Sequence, residues 1–339
     1  MEMTMRKIII LAALFLVLLL SVCLFSPKPT LWLLQHSLFG IPQDDRPKQY
    51  LDKNVQVFKD LRYPSRYQKN QFDFYAPNHP LQHKPLIVWV HGGGFIGGDK
   101  FEVKEYATRL AYEGYYVMVL NYDLVPSARY PEPVIQVSEA IRYINTSFAN
   151  THHLNSSNLF IAGDSAGAQI ALQFLLVQHN SQYAALLKIP AVLEPQQIHG
   201  SLLYCGPYDL KDMAQQANSS ITRFVFKRVG WAYLQDKNWL VNPNDMGLTA
   251  SDYLTANLPA IYLTDGNTAS FEQQARQLAI ELKKRSVPTT TRFFDQATYP
   301  TGHEYQFLLK TVPAQLTFKD TLHFLEENRI KIRDGENIE

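Results

Sequence analysis

Apolar runs alternate along most of the chain with amphipathic stretches of helical period. PLIVWV (Pro85–Val90) and YYVMVLNY are almost continuously apolar, as expected of strands buried on both faces. Further strands are predicted at VQVFKDL, QFDFYAP, NLFIAG, GSLLYCG, PAIYLT and TTTRFF. Helices are predicted at FEVKEYATRLAYEG, PVIQVSEAIRYINTSF, AGAQIALQFLLVQ, FEQQARQLAIELKKRSV and PAQLTFKDTLHFLEEN. Strands that alternate with helices predict an α/β fold with a mostly parallel central sheet and helices on both faces.

The alternating pattern predicts one large domain over residues 54–330, followed by a polar tail at 331–339. The stretch from Asp212 to Leu258 fits this pattern poorly, since it is rich in asparagine and aromatic residues. A lid inserted over the sheet is therefore expected within residues 212–258.

The N-terminal segment has a different character from the rest of the chain. Arg6 and Lys7 precede Ile8–Phe25, a nearly uninterrupted apolar run. This pattern predicts a transmembrane signal anchor over residues 1–26, with the large domain outside the cytoplasm, and a connector over 27–53. Secretion after signal cleavage is the alternative, although no Ala-x-Ala-like site follows the run.

Composition excludes several classes of protein. Apolar residues make up 46% of the 339 residues, and 32 Lys and Arg nearly balance 31 Asp and Glu. This balance gives no reason to expect a nucleic-acid partner. The two cysteines, Cys23 and Cys205, do not form a disulfide framework. The sequence contains no Cys/His cluster and no phosphate-binding lysine loop, so neither a metal nor an organic cofactor is expected.

The segment GDSAG, within IAGDSAGAQIAL, lies between a predicted strand and a predicted helix. Gly163, Ser165 and Gly167 form the pattern Gly-x-Ser-x-Gly of a nucleophile elbow. At such a bend a serine is strained and exposes its hydroxyl beside the positive end of the following helix. A tight packing turn is the alternative interpretation of the pentapeptide.

A second glycine-rich motif, HGGGFIGGD (His91–Asp99), directly follows the strand PLIVWV. Successive glycines expose backbone amides, which acyl transfer needs because its tetrahedral intermediate carries an oxyanion. The amides of Gly93, Gly94 and Ala166 are the predicted donors. A flexible glycine turn is the alternative, and the GDSAG segment downstream argues against it.

These two motifs, with NYDLVPSARYPEPV between them, resemble the hormone-sensitive-lipase-like and acetyl-esterase branch of the α/β-hydrolases. The resemblance extends from about Phe72 to Leu325, and YCGPYDL is similar to a further family segment. The frame of the middle motif is kept by Tyr122, Leu124, Pro126, Tyr130 and Pro131, whereas Asp123, Val125 and Ser127 depart from it. The resemblance implies an α/β-hydrolase fold and a serine esterase.

A nucleophilic serine needs a base, and the chain has ten histidines. His303, in YPTGHEYQFLL, comes after the last predicted strand and before the last helix. The chain order of serine, acid and histidine puts the base there, and the segment is similar to the family's histidine loop. His91 belongs to the glycine loop and is expected to order it.

The acid of the triad is expected in DGNTASFEQQ, after the strand PAIYLT. The family usually has an aspartate three or four residues beyond this strand, where this chain has Thr268. Asp265 is therefore the predicted acid, and Glu272 is the alternative. A serine–histidine dyad, or an acid from elsewhere such as Asp295, also remains open.

Together these residues predict a serine hydrolase that cleaves small-molecule carboxylic esters, with a preference for short acyl chains. Two alternatives remain open at this stage. One is a peptidase or amidase on the same fold, because the triad alone does not distinguish esters from amides. The other is a non-catalytic binding module, which the threonine at the acid position favours. The oligomeric state is not predicted.

Overall fold

The computed structural model describes residues 2–38, 54–78, 85–152, 154–215, 217, 219–242 and 246–329. The predicted tail at 331–339 and the second part of the predicted connector, residues 39–53, lie outside these ranges.

The described strands form one eight-stranded sheet. Their bounds are β1 Val55–Arg62, β2 Gln71–Pro77, β3 Leu86–Val90, β4 Tyr116–Leu120, β5 Leu159–Asp164, β6 Ile198–Tyr204, β7 Ala260–Thr264 and β8 Thr289–Arg292. Their spatial order is β1-β2-β4-β3-β5-β6-β7-β8. The pairs β1–β2 and β2–β4 are antiparallel and the other five pairs are parallel, so the sheet is mostly parallel, as predicted.

The central strands are apolar on both faces because each face packs against its own core. In β3, Val88 and Val90 join the larger hydrophobic cluster, and Ile87 and Trp89 join the smaller one on the other face. Successive side chains of a strand point to opposite faces. Burial on both sides therefore requires the continuous apolar run of PLIVWV.

Helices cover both faces of the sheet. Their bounds are α1 Glu2–Phe25, α2 Lys28–Leu38, α3 Lys104–Tyr112, α4 Glu132–Tyr143, α5 Ala149–His152, α6 Ala166–His179, α7 Ser181–Leu187, α8 Leu210–Gln215, α9 Ser220–Leu234, α10 Glu272–Lys284 and α11 Val312–Asn328. Buried side chains of α4, α6 and α10 belong to the larger cluster, and those of α3 and α11 belong to the smaller one. The predicted α/β fold with helices on both faces is confirmed.

The prediction for the N-terminal segment needs a correction. A membrane-spanning helix requires about 20 consecutive, mainly apolar residues. In the part of the chain that the structure describes, no helix combines the length and the apolar character needed to cross a membrane. The transmembrane signal anchor predicted for residues 1–26 is therefore wrong, and the extracytoplasmic localisation derived from it is withdrawn.

The helix α2, within the predicted connector, packs against the body of the protein. Leu31 is buried, and the side-chain amide of Gln35 donates to the carbonyl oxygens of Ile96, at 2.7 Å, and of Val125, at 3.0 Å. On its other side α2 contacts α9, which lies in the predicted lid region. Two helices from distant parts of the sequence thus meet close to the glycine loop.

Candidate active site

The carboxyl ends of four parallel strands bring the predicted catalytic side chains to one edge of the sheet. The glycine loop follows β3, Ser165 follows β5, Asp265 follows β7, and His303 lies in the loop after β8. Ligands of open α/β sheets bind at this edge. The fold therefore brings these distant motifs together.

Ser165 occupies a sharp bend between β5 and α6. Its backbone has φ 50° and ψ −122°, a combination that residues with a side chain rarely adopt. A Cβ on Gly163 would lie 2.4 Å from the carbonyl oxygen of Gly167, and a Cβ on Gly167 would lie 2.0 Å from that of Val90. Both distances are far below van der Waals contact. The bend consequently requires glycine on both sides of the serine.

The three residues whose amides are the predicted oxyanion donors, Gly93, Gly94 and Ala166, line the same cavity as Ser165. Among the described residues, none of the three donates a hydrogen bond to a protein acceptor. Ala166 is the first residue of α6, where an amide has no partner within the helix. Gly93 has φ 108° and Gly94 has φ 59°, values that glycine adopts without steric cost. These three amides therefore remain available as hydrogen-bond donors.

The side chain of His91 holds the glycine loop in place. Its ring stacks on Tyr122 with 4.5 Å between the ring centroids, and its Nδ1 lies 2.7 Å from the carbonyl oxygen of Gly92. Because that oxygen only accepts, Nδ1 carries the proton. Burial lowers the pKa of His91 to about 4, so the ring is neutral at pH 7. His91 therefore has a structural role in the loop.

The imidazole of His303 meets the serine hydroxyl directly. Its Nε2 lies 2.9 Å from Oγ of Ser165, within the reach of a general base. The ring of Phe271 lies edge-on to it, with 5.4 Å between the centroids. Burial lowers the pKa of His303 to about 4, while 31% of its side chain stays exposed at the cavity. The ring is neutral at pH 7, which is the form that accepts a proton.

Asp265 lies close to His303, but a serine stands between them. The hydroxyl oxygen of Ser270 is 2.7 Å from Nδ1 of His303, and the same hydroxyl donates to Oδ1 of Asp265. The aspartate is fully buried, and its Oδ2 has no hydrogen-bond partner among the described residues. Burial raises the pKa of Asp265 to about 7.

The other carboxylates and hydroxyls considered from the sequence are engaged elsewhere. Glu272 pairs with Arg276 one turn along α10, at 2.6 Å. Asp295 accepts from the amide and the hydroxyl of Thr298, both at 2.9 Å. Thr268 is exposed, and its hydroxyl donates to Asn267. Of the candidate acids, the structure brings Asp265 to the histidine.

The family model of the α/β-hydrolase fold matches residues 87–301, which is more than half of the chain. The chain belongs to the α/β-hydrolase family. The resemblance that the two glycine motifs indicated is thereby confirmed.

Solved α/β-hydrolases share this fold at low sequence identity. Esterase B from Lactobacillus rhamnosis, inhibited by a C4-C4 SN3 tributyrin phosphonate, is 20% identical with a TM-score of 0.70, and the match covers 84% of this chain and 88% of that protein. A bacterial heroin esterase is 18% identical with a TM-score of 0.65, and the match covers 84% and 88%. A thermostable esterase from Pseudomonas putida is 18% identical with a TM-score of 0.64, covering 90% and 91%.

In this α/β-hydrolase the cavity at Ser165 has a volume of about 510 Å³ and a mainly apolar wall. The helix α2 contributes Leu34, α8 contributes Met213, and α9 contributes Val225 and Phe226. Part of the predicted lid region therefore lines the candidate site. An apolar wall with few polar groups is typical of a pocket for a small organic molecule.

Two glutamates, Glu102 and Glu304, also line this cavity. Glu304 places Oε1 3.8 Å from Nε2 of His303 and shares a hydrogen bond with Asp164. Asp164 also accepts from the indole nitrogen of Trp89, at 2.6 Å, and from the amide of Gly92, at 2.8 Å. Burial and the adjacent Asp164 raise the pKa of Glu304 well above its usual value. Because Asp164 has the donors, Glu304 holds the proton that the pair shares.

Sequence reasoning missed both Ser270 and Glu304. Ser270 lies inside the segment searched for the acid, but a serine there has neither a charge nor a motif to mark it. Glu304 directly follows the candidate base, and its neighbour Asp164 belongs to GDSAG. Only the three-dimensional contact between the two loops shows that these side chains meet.

One set of side chains in the described part of the protein has the spacing of metal ligands. Ligand atoms of Cys205, Asp265 and His303 lie within 4.8 Å of one another. The thiol is fully buried, and burial raises the pKa of Cys205 well above its usual value. Because a thiolate is the form that binds metal, this set does not favour a metal ion.

Proposed function

We propose that this α/β-hydrolase is a serine hydrolase that cleaves carboxylic esters. The observation that carries the proposal is the 2.9 Å contact between Oγ of Ser165 and Nε2 of His303. This contact lies in one cavity with the free amides of Gly93, Gly94 and Ala166. Nucleophile, base and oxyanion donors are the three groups that acyl transfer needs.

In the proposed reaction Oγ of Ser165 attacks the ester carbonyl carbon while its proton passes to Nε2 of His303. The carbonyl oxygen becomes an oxyanion that accepts hydrogen bonds from the backbone amides. The bond to the alcohol then breaks, and the departing oxygen takes the proton from Nε2. Water repeats both steps on the acyl-enzyme and restores the free serine.

Asp265 is the proposed acid, ahead of Glu272. In the transition state the imidazole carries a positive charge, which a nearby buried carboxylate stabilises. One carboxylate oxygen of Asp265 lies within 4.8 Å of a ring nitrogen of His303, whereas Glu272 is paired with Arg276. Removing the acid of a triad costs on the order of 10⁴ in turnover.

A preference for short acyl chains is part of the proposal. Met213, Val225 and Phe226 line the cavity of about 510 Å³, and this space must hold both the acyl group and the alcohol. The fold relative esterase B is inhibited by a tributyrin phosphonate, a reagent with C4 chains. These features support small esters over long-chain lipids.

The test is hydrolysis of p-nitrophenyl esters from acetyl to palmitoyl, with p-nitroanilides beside them to detect amidase activity. We expect acetyl and butyryl esters to be cleaved best and Ser165→Ala to be inactive. Ser157→Ala, a serine-to-alanine change at an exposed site, is the matched control and should behave as the unmodified protein. A fluorophosphonate probe should label both active forms.

Hydrolysis of palmitoyl esters alone would contradict the chain-length proposal. Faster cleavage of anilides than of the matching esters would favour a peptidase or amidase. No turnover and no labelling of the unmodified protein would favour the non-catalytic alternative.

A further inference from the structure

The candidate triad has a side chain between its acid and its base. Nδ1 of His303 makes its hydrogen bond with Oγ of Ser270, at 2.7 Å, and Ser270 bonds Asp265. We propose that Ser270 is a positioning residue through which Asp265 acts on His303. This inference rests on the proposed esterase function, since it describes how the same site is assembled.

The directions of the hydrogen bonds follow from the chemistry of the groups. An ionised carboxylate only accepts, and a serine hydroxyl has one proton to donate. Ser270 therefore donates to Oδ1 of Asp265 and accepts from Nδ1–H of His303. With its proton on Nδ1, the neutral imidazole has a free lone pair on Nε2. That lone pair faces Ser165 and can take its proton.

Protonation of Asp265 reverses the direction of these hydrogen bonds. A protonated carboxyl can donate to Ser270, whose hydroxyl proton then turns toward Nδ1 of His303. The ring must in that case carry its proton on Nε2 and cannot accept from the nucleophile. The charge of Asp265 is thus converted by Ser270 into a choice of tautomer, and no proton crosses the serine during turnover.

The loop that carries Ser270 is held against the loop that carries the histidine. The side chain of Asn267 donates to the carbonyl oxygens of Phe294, at 3.2 Å, and Tyr299, at 2.9 Å. The backbone amide of Thr301 donates back to Asn267 at 2.9 Å. These bonds fix the position of the hydroxyl between the acid and the base.

The experiment compares four variants in the full chain: Ser270→Ala, Ser270→Thr, Asp265→Asn and the double variant Ser270→Ala/Asp265→Asn. Thr268→Ala is the matched control, since it removes a hydroxyl of the same loop that contacts Asn267 and not His303. Folding is checked by circular dichroism and thermal melting. The readouts are kcat and kcat/KM on a p-nitrophenyl ester across pH.

We expect Ser270→Ala to lose about 100-fold or more in kcat and to approach the loss in Asp265→Asn, because the aspartate acts on the histidine through this hydroxyl. Ser270→Thr should recover at least a tenth of the activity, because it retains a hydroxyl. Asp265→Asn should add less than about threefold to the loss in Ser270→Ala, since residues that act as a unit are non-additive. Thr268→Ala should change kcat less than about twofold.

Two results would overturn the inference while leaving the esterase proposal intact. One is Ser270→Ala within about threefold of the unmodified protein, because Asp265 would then act without the serine. The other is a fully additive loss in the double variant, which would make the two side chains independent. Failure of the esterase proposal is distinct, since the unmodified protein would then hydrolyse no ester.

Discussion

Acidification should switch the enzyme off through Asp265 before it protonates His303. Burial raises the pKa of Asp265 to about 7 and lowers that of His303 to about 4. If the ionised aspartate is required, about one hundredth of the enzyme is active at pH 5 relative to the alkaline plateau. If the histidine alone sets the limit, about nine tenths stays active at pH 5.

Other ionisable groups face Asp265 and need to be distinguished from it. Burial raises the pKa values of Cys205 and Tyr208 well above their usual values, so these two groups stay neutral through this range. Burial and the adjacent Asp164 also raise the pKa of Glu304 well above its usual value. Glu102 lines the same cavity, and burial raises its pKa to about 7. Burial also raises the pKa of Asp164, which directly precedes Ser165, to about 6. Glu102, Asp164 and Glu304 are therefore the groups that could produce a similar acid limb.

The assay is kcat/KM on p-nitrophenyl butyrate from pH 4.5 to 9, with initial rates and a check that the protein stays folded. The unmodified enzyme should fall with a slope of one below about pH 7. Glu102→Gln should keep this fall in kcat/KM below about pH 7. Asp265→Asn should have low activity that does not fall in this range. A rate that stays level from pH 8 to pH 5 would refute the reasoning. Loss of the acid limb in Glu102→Gln would refute it as well.

Three further predictions concern stability and the alternative acid. Asp265→Asn should raise the free energy of unfolding at pH 8 by up to about 4 kcal/mol, measured by urea denaturation. The reason is that the raised pKa of Asp265 makes the folded protein lose stability as pH rises from about 4 to about 7, and asparagine does not ionise. An equal gain at pH 4 would contradict this. Gly167→Ala should lower the free energy of unfolding by about 3 kcal/mol and abolish fluorophosphonate labelling, because the Cβ of the alanine would collide with the carbonyl oxygen of Val90. Normal labelling would count against the geometry of the nucleophile elbow. Glu272→Gln should change kcat less than about twofold, since it removes only a partly exposed ion pair with Arg276; a hundredfold loss would make Glu272 the acid.

The fold could be predicted from the sequence because its central strands are buried on both faces. A strand such as β3 must be apolar at every position, whereas a covering helix such as α10 needs apolar residues on one side only. This difference in period marks each element locally, without knowledge of its neighbours. The alternation of the two patterns then fixes the parallel sheet.

Ser165 and the oxyanion loop could be predicted because steric limits leave a trace in the sequence. Gly163 and Gly167 are required by backbone atoms 2.4 and 2.0 Å from their missing Cβ positions. The position of His303 followed from its place after the last strand. The side chains around it left no comparable trace, because Ser270 and Glu304 owe their positions to contacts between separate loops.

The N-terminal prediction was wrong because it rested on the apolar run alone. Among the described residues, no helix meets the length and hydropathy that a membrane span needs. The following helix α2 is placed by tertiary contacts that sequence periodicity does not reveal, through buried Leu31 and the hydrogen bonds of Gln35.

The position of the acid connects the sequence to the chemistry proposed for the site. A threonine stands where the family resemblance leads one to expect an aspartate, and this Thr268 is exposed and turned to Asn267. The carboxylate is instead at the end of β7, where complete burial raises the pKa of Asp265. Such a group holds its charge weakly, so any bond that favours the ionised form strengthens the base. The hydroxyl of Ser270 provides that bond to Asp265 and at the same time sets the tautomer of His303. One uncharged side chain therefore favours the ionised form of the acid and orients the base.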